Sequence, residues 1–146
     1  MPIIDTRMRA ISSDGVKRPY LDILYINPHS KLELKATALI DTGADCCVVP
    51  HSYAEILGHN YVKGNPRNIN GVNGQSECFS HTMKIEIPNF CTNEIQIIFS
   101  PGIKEPILGV RTFLSNFLLQ VDYPNERFSL HEPQKLNESI SSWPLP

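Results

Sequence analysis

Asp41 has the strongest claim to chemistry, because it follows the apolar run Ala38-Leu39-Ile40 and precedes Thr42-Gly43-Ala44-Asp45. A carboxylate at the end of such a run is expected to be driven inward, where burying the ionised form costs several kcal/mol unless it is paired or its pKa shifts. Stability gives little reason to keep it there. Thr42 offers a hydroxyl that can fix a site, and Gly43 lets the backbone bend and approach closely. The residues alone leave a second reading open, an ordinary turn or cap Asp at a strand end. Asp5-Thr6 begins the same way but runs into Arg7, with neither the glycine nor an apolar strand before it.

Cysteine and histidine offer less. Of the 4 cysteines, Cys46 and Cys47 are adjacent, and Cys78 and Cys91 stand alone in strand-like segments, so no disulfide framework is expected. The paired Cys-x-x-Cys spacing of a zinc site is missing even with His51, His59 and His81 counted, and no metal or cofactor is expected. A thiol hydrolase using Cys46 or Cys47 with His81 stays open, without a local signature to support it. Reduced, mostly buried thiols fit a cytoplasmic chain.

The 146 residues suit one domain with its own core. A net charge of -2 with scattered Lys and Arg gives no basic stripe, so nucleic acid is not an expected partner. No apolar run approaches the ~20 residues that span a bilayer. The amino terminus, with Asp5, Arg7 and Arg9, lacks the apolar core of a signal peptide. A soluble, unexported chain without a membrane partner is therefore expected.

The elements that must position Asp41 read as all-β with one or two short helices. Residues 1–18 form an irregular arm or one loose strand. Tyr20 to Ile26 is rich in β-branched and aromatic residues and closes at Asn27-Pro28-His29-Ser30, predicting a strand and hairpin. The partner, Leu32 to Ile40, alternates at first and becomes wholly apolar at Leu39-Ile40, so it should start half exposed and end buried. Cys46 to Val49 predicts a short strand ended by Pro50. His51 to Gly58 predicts a helix of about two turns, with Ser52 as N-cap, Glu55 at the capping-box position and Gly58 as the stop.

Tyr61 to Asn68 is polar, and Ile69-Asn70-Gly71-Val72-Asn73-Gly74-Gln75 then carries two Asn-Gly pairs, a strong hairpin signal. Cys78 to Ile87 and Ile95 to Phe99 predict strands joined by a turn at Pro88-Asn89. After Ile107-Leu108-Gly109, the residues Val110, Phe113, Leu114 and Phe117 fall on one helical face. Leu118 to Tyr123 and Arg127 to His131 flank a final turn. The polar tail, 132–146, is either a disordered end or a segment that docks through Leu136, Ile140 and Trp143.

Asp41-Thr42-Gly43-Ala44, the Asn-Gly hairpin and Ile107-Leu108-Gly109, in that order, resemble the retropepsin-like aspartic proteases. The strand, Pro50 and short helix after the Asp resemble the bacterial and cellular members more than the viral ones, as does the Asp122-Tyr123-Pro124-Asn125 turn. The resemblance covers residues 19–131 and implies a single-lobe acid protease barrel.

In that reading Asp41 is catalytic, and Thr42 and Gly43 complete the active-site loop. Ala44, Asp45, Gly71 and Val72 contact substrate, the last two at the tip of a flap; an ordinary surface hairpin is the alternative. Aspartic proteolysis needs two carboxylates sharing a proton, and this chain supplies one, so a homodimer acting on peptide or protein substrates is implied. A catalytically silent dimer of the same fold, acting as a protein-binding module, is the other possibility. One departure stands out. Many relatives place Arg directly after the second glycine, where it pairs with the Asp two residues past Asp-Thr-Gly; here Val110 stands there and Arg111 follows, leaving the partner of Asp45 open.

Overall fold

The alternation in the sequence becomes two β-sheets in the computed structural model, which describes residues 1–71 and 74–134. Strand β1 (Ile4–Arg7) is followed by β2 (Tyr20–Ile26) and β3 (Glu33–Ile40), an antiparallel hairpin with Tyr20 opposite Leu39 and Ile26 opposite Glu33. As expected, β3 begins with exposed Glu33 and ends at buried Ile40. Asn27 fixes the turn between them: its side chain accepts from the His29 amide and donates to the Leu57 carbonyl at 2.7 Å.

Next come β4 (Val48–Pro50) and helix α1 (Tyr53–Ile56), then β5 (Asn65–Gly71) and β6 (Gly74–Ile87). Strands β7 (Phe90–Cys91), β8 (Ile95–Ser100), β9 (Ile107–Leu108), β10 (Leu118–Asp122) and β11 (Arg127–His131) complete the described order. The larger sheet runs β2-β3-β9-β4-β8-β6-β5, and a further pairing of β2 with β6, Leu24 opposite Glu86, closes its first six strands into a barrel. Ile23, Ala38, Ile40, Ile85, Ile97, Phe99 and Leu108 fill it. The smaller sheet, β1-β11-β10, seals one side with Phe128 and Leu130, and Met8 just past β1 joins the same core.

Strand β9 lies between β3 and β4, parallel to the first and antiparallel to the second. Two short segments that flank the Asp41 loop are thus tied together by a third from far along the chain. This crossing positions the site.

Three elements differ from the expectations. Helix α1 is one turn rather than two, and Ser52 is itself helical (φ -61, ψ -20) with no side-chain cap bond. It ends as foreseen at Gly58, whose φ of +78 suits glycine. Among the described residues no regular helix follows Gly109. Only a 3-10 turn, Leu114–Asn116, forms there, because Thr112 sits at φ 68 and interrupts the run, and the Leu114 and Ser115 amides bond carbonyls five residues back, at Gly109 and Val110. Phe113 and Leu114 are buried nonetheless, and Val110 is 42% exposed.

The polar stretch before the Asn-Gly pairs is in part a strand: β5 pairs with β6 from Asn65 opposite Ser80 to Gly71 opposite Gly74. It ends the sheet order, so polar residues and Pro66 are tolerated. Val72 and the tail residues Leu136, Ile140 and Trp143 lie outside the described residues. Among those described, no helix is long and apolar enough to cross a membrane.

Candidate active site

Asp41 is the first residue past β3. Its amide donates to the Leu108 carbonyl at 3.0 Å, its carbonyl accepts from Ala44 at 3.1 Å, and its Oδ1 accepts from the Gly43 amide at 2.9 Å. The side chain is therefore turned back over its own loop and held in one orientation. A Cβ on Gly43 would stand 3.2 Å from that Oδ1, so glycine leaves the carboxylate room. In the single protomer Asp41 is half-buried and Thr42 and Gly43 are exposed, so the apolar run delivers the carboxylate to the barrel's rim rather than to its interior.

Gly109 fixes the other end of the loop. A Cβ there would lie 2.3 Å from the Cys46 carbonyl oxygen and 2.8 Å from that of Ala44, so the loop rests directly on the glycine backbone. The amides of Val110 and Arg111 then bond the Ala44 and Asp45 carbonyls at 2.9 and 2.8 Å. The partner of Asp45 is thus the Arg111 backbone, not a guanidinium. Among the described residues no ion pair involves the exposed Asp45 carboxylate.

A cleft of ≈ 580 Å³ opens beside this loop. Gly43, Ala44, Asp45 and Cys46 form one wall, and Asn68 and Ile69 of β5 contribute to another. The hairpin carrying Gly71 therefore borders the cleft, with Gly71 itself on the described edge of its tip. Val48, Ile98, Ile103 and Ile107 also face the cleft. They are not legible in the sequence, because Val48, Ile98 and Ile107 look like ordinary strand residues and Ile103 lies in the loop between β8 and β9. Asp41 and Thr42 line a neighbouring hollow with Leu119, Val121 and Tyr123, in and just past β10.

The thiol alternative finds little support. Cys47 is buried, its sulfur accepts from the Thr112 hydroxyl at 3.6 Å, and burial pushes its thiol pKa up, away from a reactive thiolate. His81 stacks on His59 with ring centroids 4.5 Å apart and meets the Tyr61 carbonyl at 2.9 Å. It braces the root of the β5–β6 hairpin. Among the described residues no disulfide forms and no group of three His, Cys, Asp or Glu could hold a metal ion.

Residues 31–112, more than half of the chain, match the family described as aspartyl protease. No curated protein matches. Among solved structures, a retropepsin-like aspartic protease from Rickettsia conorii superposes with a TM-score of 0.64 at 19% identity, covering 86% of this chain and 98% of that one. The EIAV protease complexed with the inhibitor HBY-793 superposes with a TM-score of 0.53 at 23% identity, covering 72% and 93%. Both likenesses establish the retropepsin-like fold. The bacterial structure shares more of it than the viral one, as the residues after Asp41 implied.

Proposed function

The chain belongs to the aspartyl protease family, and on that premise we propose that it is an aspartic endopeptidase using Asp41 from each of two protomers. The observation that carries this reading is the Asp41 loop itself. Its carboxylate is oriented by the Gly43 amide, its backbone is clamped on Gly109, and its tip stands exposed at the rim where a twofold partner would bring a second copy.

The outer edge of β10 lies beside that tip. It pairs with no other strand of the described sheet and exposes Leu118 (44%) and Val121 (37%), which supports a second copy docking there. Thr42 braces the two loops across the axis. One Asp41 is ionised and takes a proton from water; the other is neutral and polarises the scissile carbonyl, since two like charges at close range do not both ionise. No covalent intermediate forms.

Gly71 and Val72 cover the substrate and exclude bulk water, and Ala44 and Asp45 contact its backbone from below. Because the dyad works with one shared proton, the rate is highest at mildly acidic pH and falls as both carboxylates ionise. The deciding experiment incubates wild-type and Asp41→Asn protein with a mixed peptide library, with and without an active-site aspartic protease inhibitor. Cleavage should be inhibitor-sensitive and absent in the variant, in a species that sediments as a dimer. Cleavage that survives Asp41→Asn, or an active strict monomer, overturns the dyad.

A further inference from the structure

The cleft beside the Asp41 loop has aliphatic walls and, among the described residues that line it, a single charge. Val48, Ile69, Ile98, Ile103 and Ile107 surround Asp45 there, and all five are half-buried, so each leaves apolar surface for a ligand to cover. Asp45 differs from them. Its carbonyl is committed to the Arg111 amide at 2.8 Å, which fixes the backbone, while its side chain is exposed and, among the described residues, forms no ion pair. Val110 and Arg111 meet the loop through their backbone amides, and among the described bonds Arg111 contributes only its amide to Asp45.

We propose that Asp45 selects a Lys or Arg side chain of the substrate, next to an aliphatic side chain received by the isoleucine walls. The inference rests on the endopeptidase reading and sharpens it to a substrate class. An exposed carboxylate pairs weakly in open water. Covered by a peptide and by the β5–β6 hairpin it loses part of its hydration, and its attraction for a cation grows with the fall in local dielectric.

Two geometric consequences follow. A substrate bound as an extended strand points alternate side chains to opposite faces, so the basic and aliphatic residues that share one half-cleft stand two positions apart. A twofold dimer carries Asp45 on both sides of the axis, so the preference repeats at equal distances on either side of the scissile bond.

The test is a cleavage profile of the full chain on a peptide library in which each position carries Lys, Met or Glu. Wild-type protein should favour Lys over Met by about tenfold in kcat/KM at one position on each side of the cut, and less at high salt. Asp45→Asn should bring that ratio to about one, and Asp45→Lys should turn the preference toward Glu.

A merely structural role would slow all peptides alike and leave the ratio unchanged, which overturns the proposal, as does a wild-type profile without the preference. If nothing is cleaved, retention of the same library on the Asp41→Asn protein is measured instead. Retention of Lys peptides that vanishes with Asp45→Asn added upholds this assignment while the endopeptidase reading falls; unselective or absent retention sinks both.

Discussion

The Asp41 loop and the β5–β6 hairpin border the same cleft and are held by opposite means. The loop is fastened at nearly every step: Asp41 to Leu108 and Gly43, Ala44 to Val110, Asp45 to Arg111, and Cys46 against the bare backbone of Gly109. The hairpin is fastened at its root, where His59 and His81 stack and Gly64 leaves no room for a side chain beside His81, while among the described strands β5 has a neighbour on one edge alone. The contrast fits the proposed function, in which reacting groups have to be placed to within a fraction of an ångström, whereas a cover has to admit a chain and close on it.

Two glycines bring out the contrast. Gly109→Ala forces a Cβ to within 2.3 Å of the Cys46 carbonyl, with backbone rather than a flexible side chain in the way. We expect a loss of about 3 kcal/mol or more, of the order seen for overpacked core sites, with activity gone as well. Thermal denaturation and peptide cleavage measure both. A well-folded, active Gly109→Ala protein would mean that the loop is not clamped as described.

Gly74→Val probes the other region. Gly74 has φ +99, and a Cβ added to it would meet nothing within 4 Å, so the cost is conformational and not steric. Strain of about 1–2 kcal/mol is expected, partly relieved at an exposed turn, with a fall of only a few degrees in thermal midpoint. Turnover should drop about tenfold if closing the hairpin gates catalysis. Unchanged turnover with a lowered midpoint would leave the hairpin a surface ornament.

The smallest effect concerns the hairpin root. Burial and the neighbouring His81 and His29 lower the His59 pKa below its ordinary value. The unfolded chain then takes up the proton first as pH falls below about 6.5, so stability contributed by neutral His59 is full above that pH and declines toward the folded pKa. The thermal midpoint should slip by a degree or two between pH 7.5 and 5.5, and His59→Gln should flatten the slope. An identical slope in the variant would assign the effect elsewhere.

Much of this arrangement is legible in the residues. The Asp41 loop, the β2–β3 hairpin and the glycine of Ile107-Leu108-Gly109 announce themselves through motif order and alternation, which are local properties. What escapes is what depends on partners. Val110 to Phe117 has helical spacing, yet Thr112 takes a positive φ and the Leu114 and Ser115 amides reach carbonyls five residues back, which no periodicity reveals. Asn65 to Asn68 looks like loop because an edge strand needs no apolar face. The cleft-facing Ile98 and Ile103 carry no mark distinguishing them from core residues, and the partner of Asp45, left open by the residues, emerges as the Arg111 amide only in the fold.

The interposed strand β9 also bears on how the site comes into being. Asp41 is synthesised early, but the residues that clamp its loop, Leu108 to Arg111, follow only after β4 through β8 have been made. The smaller sheet reaches further still, pairing Ile4 with Leu130. Contacts so distant along the chain are slow to close, because loop entropy is lost before any pairing is gained. On a ribosome the Asp41 carboxylate therefore emerges long before the contacts that orient it.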